Sequence, residues 1–216
     1  MQNTLLTQQA VFTKKEPFFT EQSLAEYYNN RASKYNHSIK ALQWQSEFNQ
    51  YKRFEVIHSN IITECKSLCD LGCGYGDFYH FLQSINSSLS YTGIDISANM
   101  IVGAQRAYPN GKFQCTNIES LSAHHHFDVI IACGVFNLKM EEHHDYLYSQ
   151  IQQMILKAKK QVLFNVLLAK SNRHSKSKQF VYFKKIELEK LLNKLPMSYQ
   201  IIENYLPNDM TVSITL

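Results

Sequence analysis

The sequence predicts an α/β fold, a mainly parallel seven-stranded sheet with helices on both faces, and three observations lead to it. Strand-like apolar runs alternate with helical periodicities from Ser67 to Leu168. A glycine-rich loop, Asp70-Leu71-Gly72-Cys73-Gly74-Tyr75-Gly76, falls where the first strand gives way to a helix. The chain then ends in two strand-like segments around a turn. Alternation of this kind makes consecutive strands parallel and sends their connecting helices over both sheet faces.

The elements follow in order. Residues 1 to about 20 are polar and without sustained periodicity, which predicts a loose arm. From Ser23 to Ile62, residues such as Leu24, Tyr28, Tyr35, Leu42, Phe54 and Ile57 recur at three- and four-residue spacings, so several helices precede the first strand. Strands are then expected at 67–71, 90–94, 112–115, 127–132 and 162–168, with helices at 77–84, 98–108 and 141–159 between them. A helix at 186–195 leads into strands at 199–205 and 210–215, joined through Leu206-Pro207-Asn208-Asp209 as an antiparallel hairpin.

Composition narrows the function. A chain of 216 residues suits one domain, and no stretch reaches the roughly 18 consecutive apolar residues of a membrane span. The first twenty residues lack a secretory pattern, so a soluble, cytoplasmic protein is expected. Cys65, Cys69, Cys73, Cys115 and Cys133 contain no C-x-x-C pair, which argues for free, mostly buried thiols rather than disulfides or zinc. His124, His125 and His126 are consecutive and cannot all face one ion in regular structure, so no metal site is expected.

The formal charge of +4 is too small to imply nucleic acid by itself. Lys170, Arg173, His174, Lys176, Lys178, Lys184 and Lys185 nevertheless cluster after the fifth strand, on the edge where α/β folds bind ligands. They read as a solvated loop or as a site for an acidic small molecule or a phosphate backbone.

The glycine loop is the strongest chemical signal. Glycines there let a ligand approach the backbone, beside the free N–H groups of a helix start. Asp95 ends the second strand near the separation at which a carboxylate accepts ribose hydroxyls; its structural alternative is a helix cap. A dinucleotide fingerprint would need glycine at position 77, where the chain has Asp77, and no Lys-Ser or Lys-Thr completes a P-loop.

From Tyr27 to the C-terminus the chain resembles the class I S-adenosylmethionine-dependent methyltransferases. Asp70 to Gly76 is similar to that family's first motif, and Gly93-Ile94-Asp95-Ile96-Ser97-Ala98-Asn99-Met100 to its second. The resemblance implies a Rossmann-like fold, with the terminal hairpin as its seventh-strand feature. It implies S-adenosylmethionine (SAM) as cofactor and S-adenosylhomocysteine (SAH) as product. Asp70, Gly72, Cys73, Gly74 and Gly76 would then cradle the methionyl end, Asp95 the ribose, and Ile96 and Met100 the adenine.

Asn117 and Ile118 stand at the third motif, where the family usually has an acidic residue reading the adenine amino group; an asparagine carbonyl can accept the same bond. Cys133 and Gly134 lie in Asp128 to Asn137, which resembles the fourth strand and the loop between cofactor and acceptor. The helix around Tyr27 to Tyr35 resembles the one that covers the cofactor in many small-molecule members, bringing Tyr28 to the site. The expected organisation is an arm (1–20) and a methyltransferase domain (21–216), itself a helical lid (21–62) on an α/β core (63–216). Arg53 is either a partner for the cofactor carboxylate or a surface arginine.

Methyl transfer from a sulfonium is an in-line displacement, for which positioning alone supplies roughly 7 to 11 kcal/mol in favourable cases. A base is required only where the nucleophile must shed a proton. Tyr28, His37, His143 and His144 are the candidates, and Asn137 is placed to orient an acceptor. The first reading is a small-molecule methyltransferase. The alternatives are an RNA (tRNA) methyltransferase and a non-catalytic SAM-binding accessory protein. These motifs specify neither the acceptor atom nor the oligomeric state.

Overall fold

A computed structural model describes residues 18–122, 126–169 and 179–216. Two helices, α1 (Glu21–Tyr35) and α2 (Glu47–Ser59), precede the sheet, and residues 36–46 between them form an irregular strap. The core then runs β1 (Ser67–Leu71), α3 (Asp77–Ser84), β2 (Ser90–Asp95), α4 (Ala98–Ala107), β3 (Phe113–Cys115), β4 (Phe127–Ala132) and a short 3-10 helix (Val135–Asn137). It closes with α5 (His143–Lys157), β5 (Ala158–Leu167), α6 (Lys185–Leu192), β6 (Ser198–Ile202) and β7 (Asp209–Thr215).

The strand order is β3-β2-β1-β4-β5-β7-β6, with β7 antiparallel to both its neighbours and the β3-to-β5 pairings all parallel. This is the expected Rossmann-like architecture with its antiparallel hairpin. Strand alternation sorts the core onto two faces. Leu68, Val129, Ile131 and Leu163 pack with Phe54 and Ile57 of α2, Phe78 and Phe81 of α3 and Ile101 of α4. Leu71, Ile130, Ala132, Phe164 and Val212 pack with Leu147 and Ile151 of α5 and Leu188 and Leu192 of α6.

Several boundaries differ from expectation, among them the end of the helix expected at 186–195, which stops at Leu192. The strand expected at 162 begins at Ala158, because α5 stops at Lys157, whose ammonium turns in to donate to the carbonyls of Leu121 (2.8 Å) and Ser122 (3.2 Å). Polar Lys159 to Gln161 hid that start in the sequence. The strand expected to reach 205 ends at Ile202, just before Asn204 takes φ 67°. The region from 23 to 62 resolves into two helices, each started by a hydroxyl cap: Thr20 accepts from the Ser23 N–H and Ser46 from the Asn49 N–H, both at 3.2 Å.

Candidate functional site

In an open parallel sheet, ligands bind at the carboxyl ends of strands where the order reverses. Here that point lies between β1, paired to β2 on one side, and β4 on the other. A cleft of about 990 Å³ of empty volume, counted to its open mouth, occupies it. The cofactor-binding candidates Asp70, Gly72, Cys73, Gly74, Asp95, Ile96, Met100, Asn117, Cys133, Gly134 and Tyr28 all line it.

Asp95 organises the floor. One carboxylate oxygen accepts the Gly74 N–H at 2.9 Å and the other the Ser97 N–H at 2.8 Å, so the carboxylate holds the first and second motifs together. The cap of α4 is Ser97, whose hydroxyl accepts the Met100 N–H at 3.3 Å, so Asp95 is not that cap. Gly74 stands at φ 55°, a left-handed backbone that suits glycine. Asp70 is buried and accepts the Tyr91 hydroxyl at 2.7 Å. Burial raises its pKa from the ordinary 3.8 to about 7, with the Asp95 and Asp77 charges adding to the rise and the Tyr91 bond opposing it.

The roof comes from α1 and the strap. Asn29 of α1 accepts the Ser97 hydroxyl at 2.8 Å and the Asn99 N–H at 3.1 Å, tying the helix to the second motif. Leu42 and Trp44 of the strap lie over Gly74 and Gly134. A Cβ on Gly134 would come within 2.6 Å of the Trp44 ring, and Gly134 stands at φ 80°. Gly134→Ala is therefore expected to cost about 1–3 kcal/mol of stability, read as a lowered urea midpoint at unchanged slope.

Other predicted residues are placed elsewhere. Arg53 is neither a surface arginine nor part of the lining: it is buried and donates to both carboxylate oxygens of Asp209, at 2.7 and 2.5 Å. Ile118 is fully buried in the core with α5, since its neighbour Asn117 takes the cleft-facing position. Gly76 does not line the cleft; it starts α3 at φ 81°, and a Cβ there would meet the Phe113 ring at 2.8 Å.

Asn137 is buried outside the lining, its backbone carbonyl accepting the Val181 N–H at 2.9 Å. His143 is also buried outside the lining; its Nδ1 accepts the Met140 N–H at 3.2 Å, and burial lowers its pKa to about 4. His144 is exposed with its ring edge-on to Phe183, and His37 stacks on Tyr75 at 4.4 Å with Nε2 3.3 Å from Asp77. Lys170, Arg173, His174, Lys176 and Lys178, with His124 and His125, lie outside the described residues. Lys184 and Lys185 are exposed and pair with Glu187 and Glu203.

The lining also contains residues that no sequence pattern singled out: Trp44, Gln50, Val135, Tyr146 and Gln150. Asp77, noted only for interrupting the dinucleotide fingerprint, accepts the Gln50 amide at 2.8 Å at the cleft.

Residues 68–158 match the family model described as a methyltransferase domain. "Putative methyltransferase 235L" of Invertebrate iridescent virus 6 is 26% identical over 95 residues, 44% of this chain and 36% of that protein. Among solved structures, DhpI in complex with SAH has a TM-score of 0.67 at 17% identity, covering 90% of this chain and 95% of that one. The magnesium protoporphyrin IX methyltransferase ChlM from Synechocystis PCC 6803, with bound SAM, has a TM-score of 0.63 at 16% identity, covering 94% and 99%. The motifs, the fold and the domain match agree: residues 68–158 form a methyltransferase domain, and the chain is similar to the class I S-adenosylmethionine-dependent methyltransferases. It spans little more than a third of the viral relative's length.

Proposed function

We propose that the protein transfers a methyl group from SAM to a small-molecule acceptor. One observation carries the reading: a single cleft gathers the glycine loop, Asp95 and Asn117 beneath a roof made by α1 and the strap. When bound, SAM supplies a methyl carbon activated by a sulfonium. In this reading residues 21–62 are the lid and residues 63–216 the catalytic core.

The chain's own residues bind, orient and exclude water. Asp95 accepts ribose hydroxyls while holding the Gly74 loop. Ile96 and Met100 flank the adenine, and Leu42, Trp44 and Val135 close the centre. Tyr28 is a positioning hydroxyl rather than a base: burial, then the Asp95 charge, push its pKa well above the ordinary range. His143 is turned away, so proximity and orientation carry the rate. The described lining contains four carboxylates, Glu21, Asp70, Asp77 and Asp95, and no lysine or arginine. That charge suits a cationic cofactor and favours a neutral or cationic acceptor over an acidic one or an RNA backbone.

Calorimetric titration with SAM and SAH tests the reading. Micromolar binding supports it, and a folded protein that binds neither would sink it. RNA binding that falls steeply with salt would favour the RNA alternative. Turnover with any acceptor would remove the accessory-protein reading.

The pH dependence carries its own sign. Asp70 binds a proton more tightly in the folded chain than in the unfolded one, so it contributes stability at low pH that is lost as pH rises from 3.8 through about 7. A cationic ligand beside it favours the carboxylate and expels that proton. SAM affinity is therefore expected to rise from pH 5 to 7 and level off above. Titrations in buffers of different ionisation enthalpy should show proton release on binding below pH 7 and little above it.

A further inference from the structure

The adenine site of a nucleoside cofactor needs a group that accepts from the 6-amino group and donates to a neighbouring ring nitrogen. Asn117 faces the cleft where the family usually places an acidic acceptor, but its Oδ1 already accepts the Ser120 N–H at 2.9 Å. The segment after β3 therefore uses that carbonyl to hold its own turn.

A second amide stands in the same cleft. Gln150 of α5 is 7% exposed, lines the cavity and makes no hydrogen bond to any described residue. Its amide opens onto the cleft rather than onto another side chain, so its one acceptor and two donors are available to a bound ligand. The course of α5 shows where the amide sits. One turn before it, Tyr146 also lines the cleft, and its phenol feels the charges of Glu21 and Glu119. Two turns after it, Lys157 donates to the carbonyls of Leu121 and Ser122. Gln150 lies between them, so it runs alongside the 117–122 segment.

We propose that Gln150 reads the adenine edge of the cofactor, its carbonyl accepting from the 6-amino group and its NH₂ donating to the adjacent ring nitrogen. A glutamine amide and adenine match as a bidentate pair, the same complementarity by which proteins read adenine in DNA. Asn117 shapes the turn beside this contact. The donor–acceptor pair specifies an adenine nucleoside and makes Gln150 a specificity-determining residue. The inference rests on the cofactor reading above.

The test compares SAH with its analogue carrying unsubstituted purine, which lacks only the 6-amino group, on the wild-type chain and on Gln150→Leu, Gln150→Met and Gln150→Glu. The wild type is expected to bind SAH about tenfold more tightly than the analogue, the effect of one well-placed hydrogen bond. In Gln150→Leu and Gln150→Met both ligands should bind alike, with SAH weakened at least tenfold and melting temperatures not lowered. Gln150→Glu keeps an acceptor and should retain the preference for SAH. The proposal is overturned if the wild type shows no preference, or if the Leu or Met variant keeps it. Binding of neither ligand by the folded wild type would instead overturn the cofactor reading and this inference with it.

Discussion

Asp95→Ala is expected to weaken SAH binding at least about a hundredfold and to lower stability at the same time, because the carboxylate has two duties. It faces the cleft, and it accepts the buried N–H groups of Gly74 and Ser97 at 2.9 and 2.8 Å. Each donor left without a partner costs about 1–3 kcal/mol, and each kcal/mol lowers the melting temperature of a chain this size by roughly 2–4 °C. Lost affinity alone would therefore not separate a ligand contact from a collapsed loop. Asp95→Asn keeps one acceptor oxygen and should fall between alanine and wild type in both measurements. The separating observation is the thermal shift on adding excess SAH. A carboxylate that binds the ribose predicts a large shift in the wild type and almost none in Asp95→Ala, beyond the lowered baseline. A variant that melts early but shows the full ligand shift would make Asp95 a loop anchor only.

The sequence reveals the glycine-loop floor of the cleft more readily than its roof, and the reason is physical. Glycines and a strand-end carboxylate serve the site through local backbone geometry, so their spacing is visible in the chain. Trp44, Gln150 and Arg53 act through contacts between segments far apart. Residues 36–46 have no helical or strand period to mark them, and Trp44 matters because folding lays it on Gly134. Gln150 sits on a helix whose other buried residues, Leu147, Ile151 and Met154, read as plain core. The Ile118 side chain is buried in the core while its neighbour Asn117 takes the cleft, a division that the spacing of the third motif does not reveal.

Arg53→Met should be the most destabilising single change outside the cleft, lowering stability by about 3–5 kcal/mol and the melting temperature by roughly 10 °C. Arg53 and Asp209 are both buried and joined bidentately across 156 residues of chain, linking α2 to the start of β7. Asp209 also accepts the Asn165 amide at 3.1 Å, and Asn165 accepts the Gly134 N–H at 2.7 Å, so the pair supports the loop beside the cleft. Burial already pushes the Asp209 pKa upward, while Arg53 opposes that rise. Without Arg53 the carboxylate is an unpaired buried charge, and the folded chain would hold a proton there more tightly than the unfolded one. The variant's deficit should accordingly be smaller at pH 5 than at pH 8, as a raised carboxylate pKa requires. Lost packing would give the same deficit at both. Adding Asp209→Asn removes the charge while leaving an oxygen for the Asn165 amide, so the double variant should recover most of the loss at pH 8. If it does not, the contribution of Arg53 lies in its stacking on Trp44, 4.8 Å from the ring centre, rather than in the ion pair.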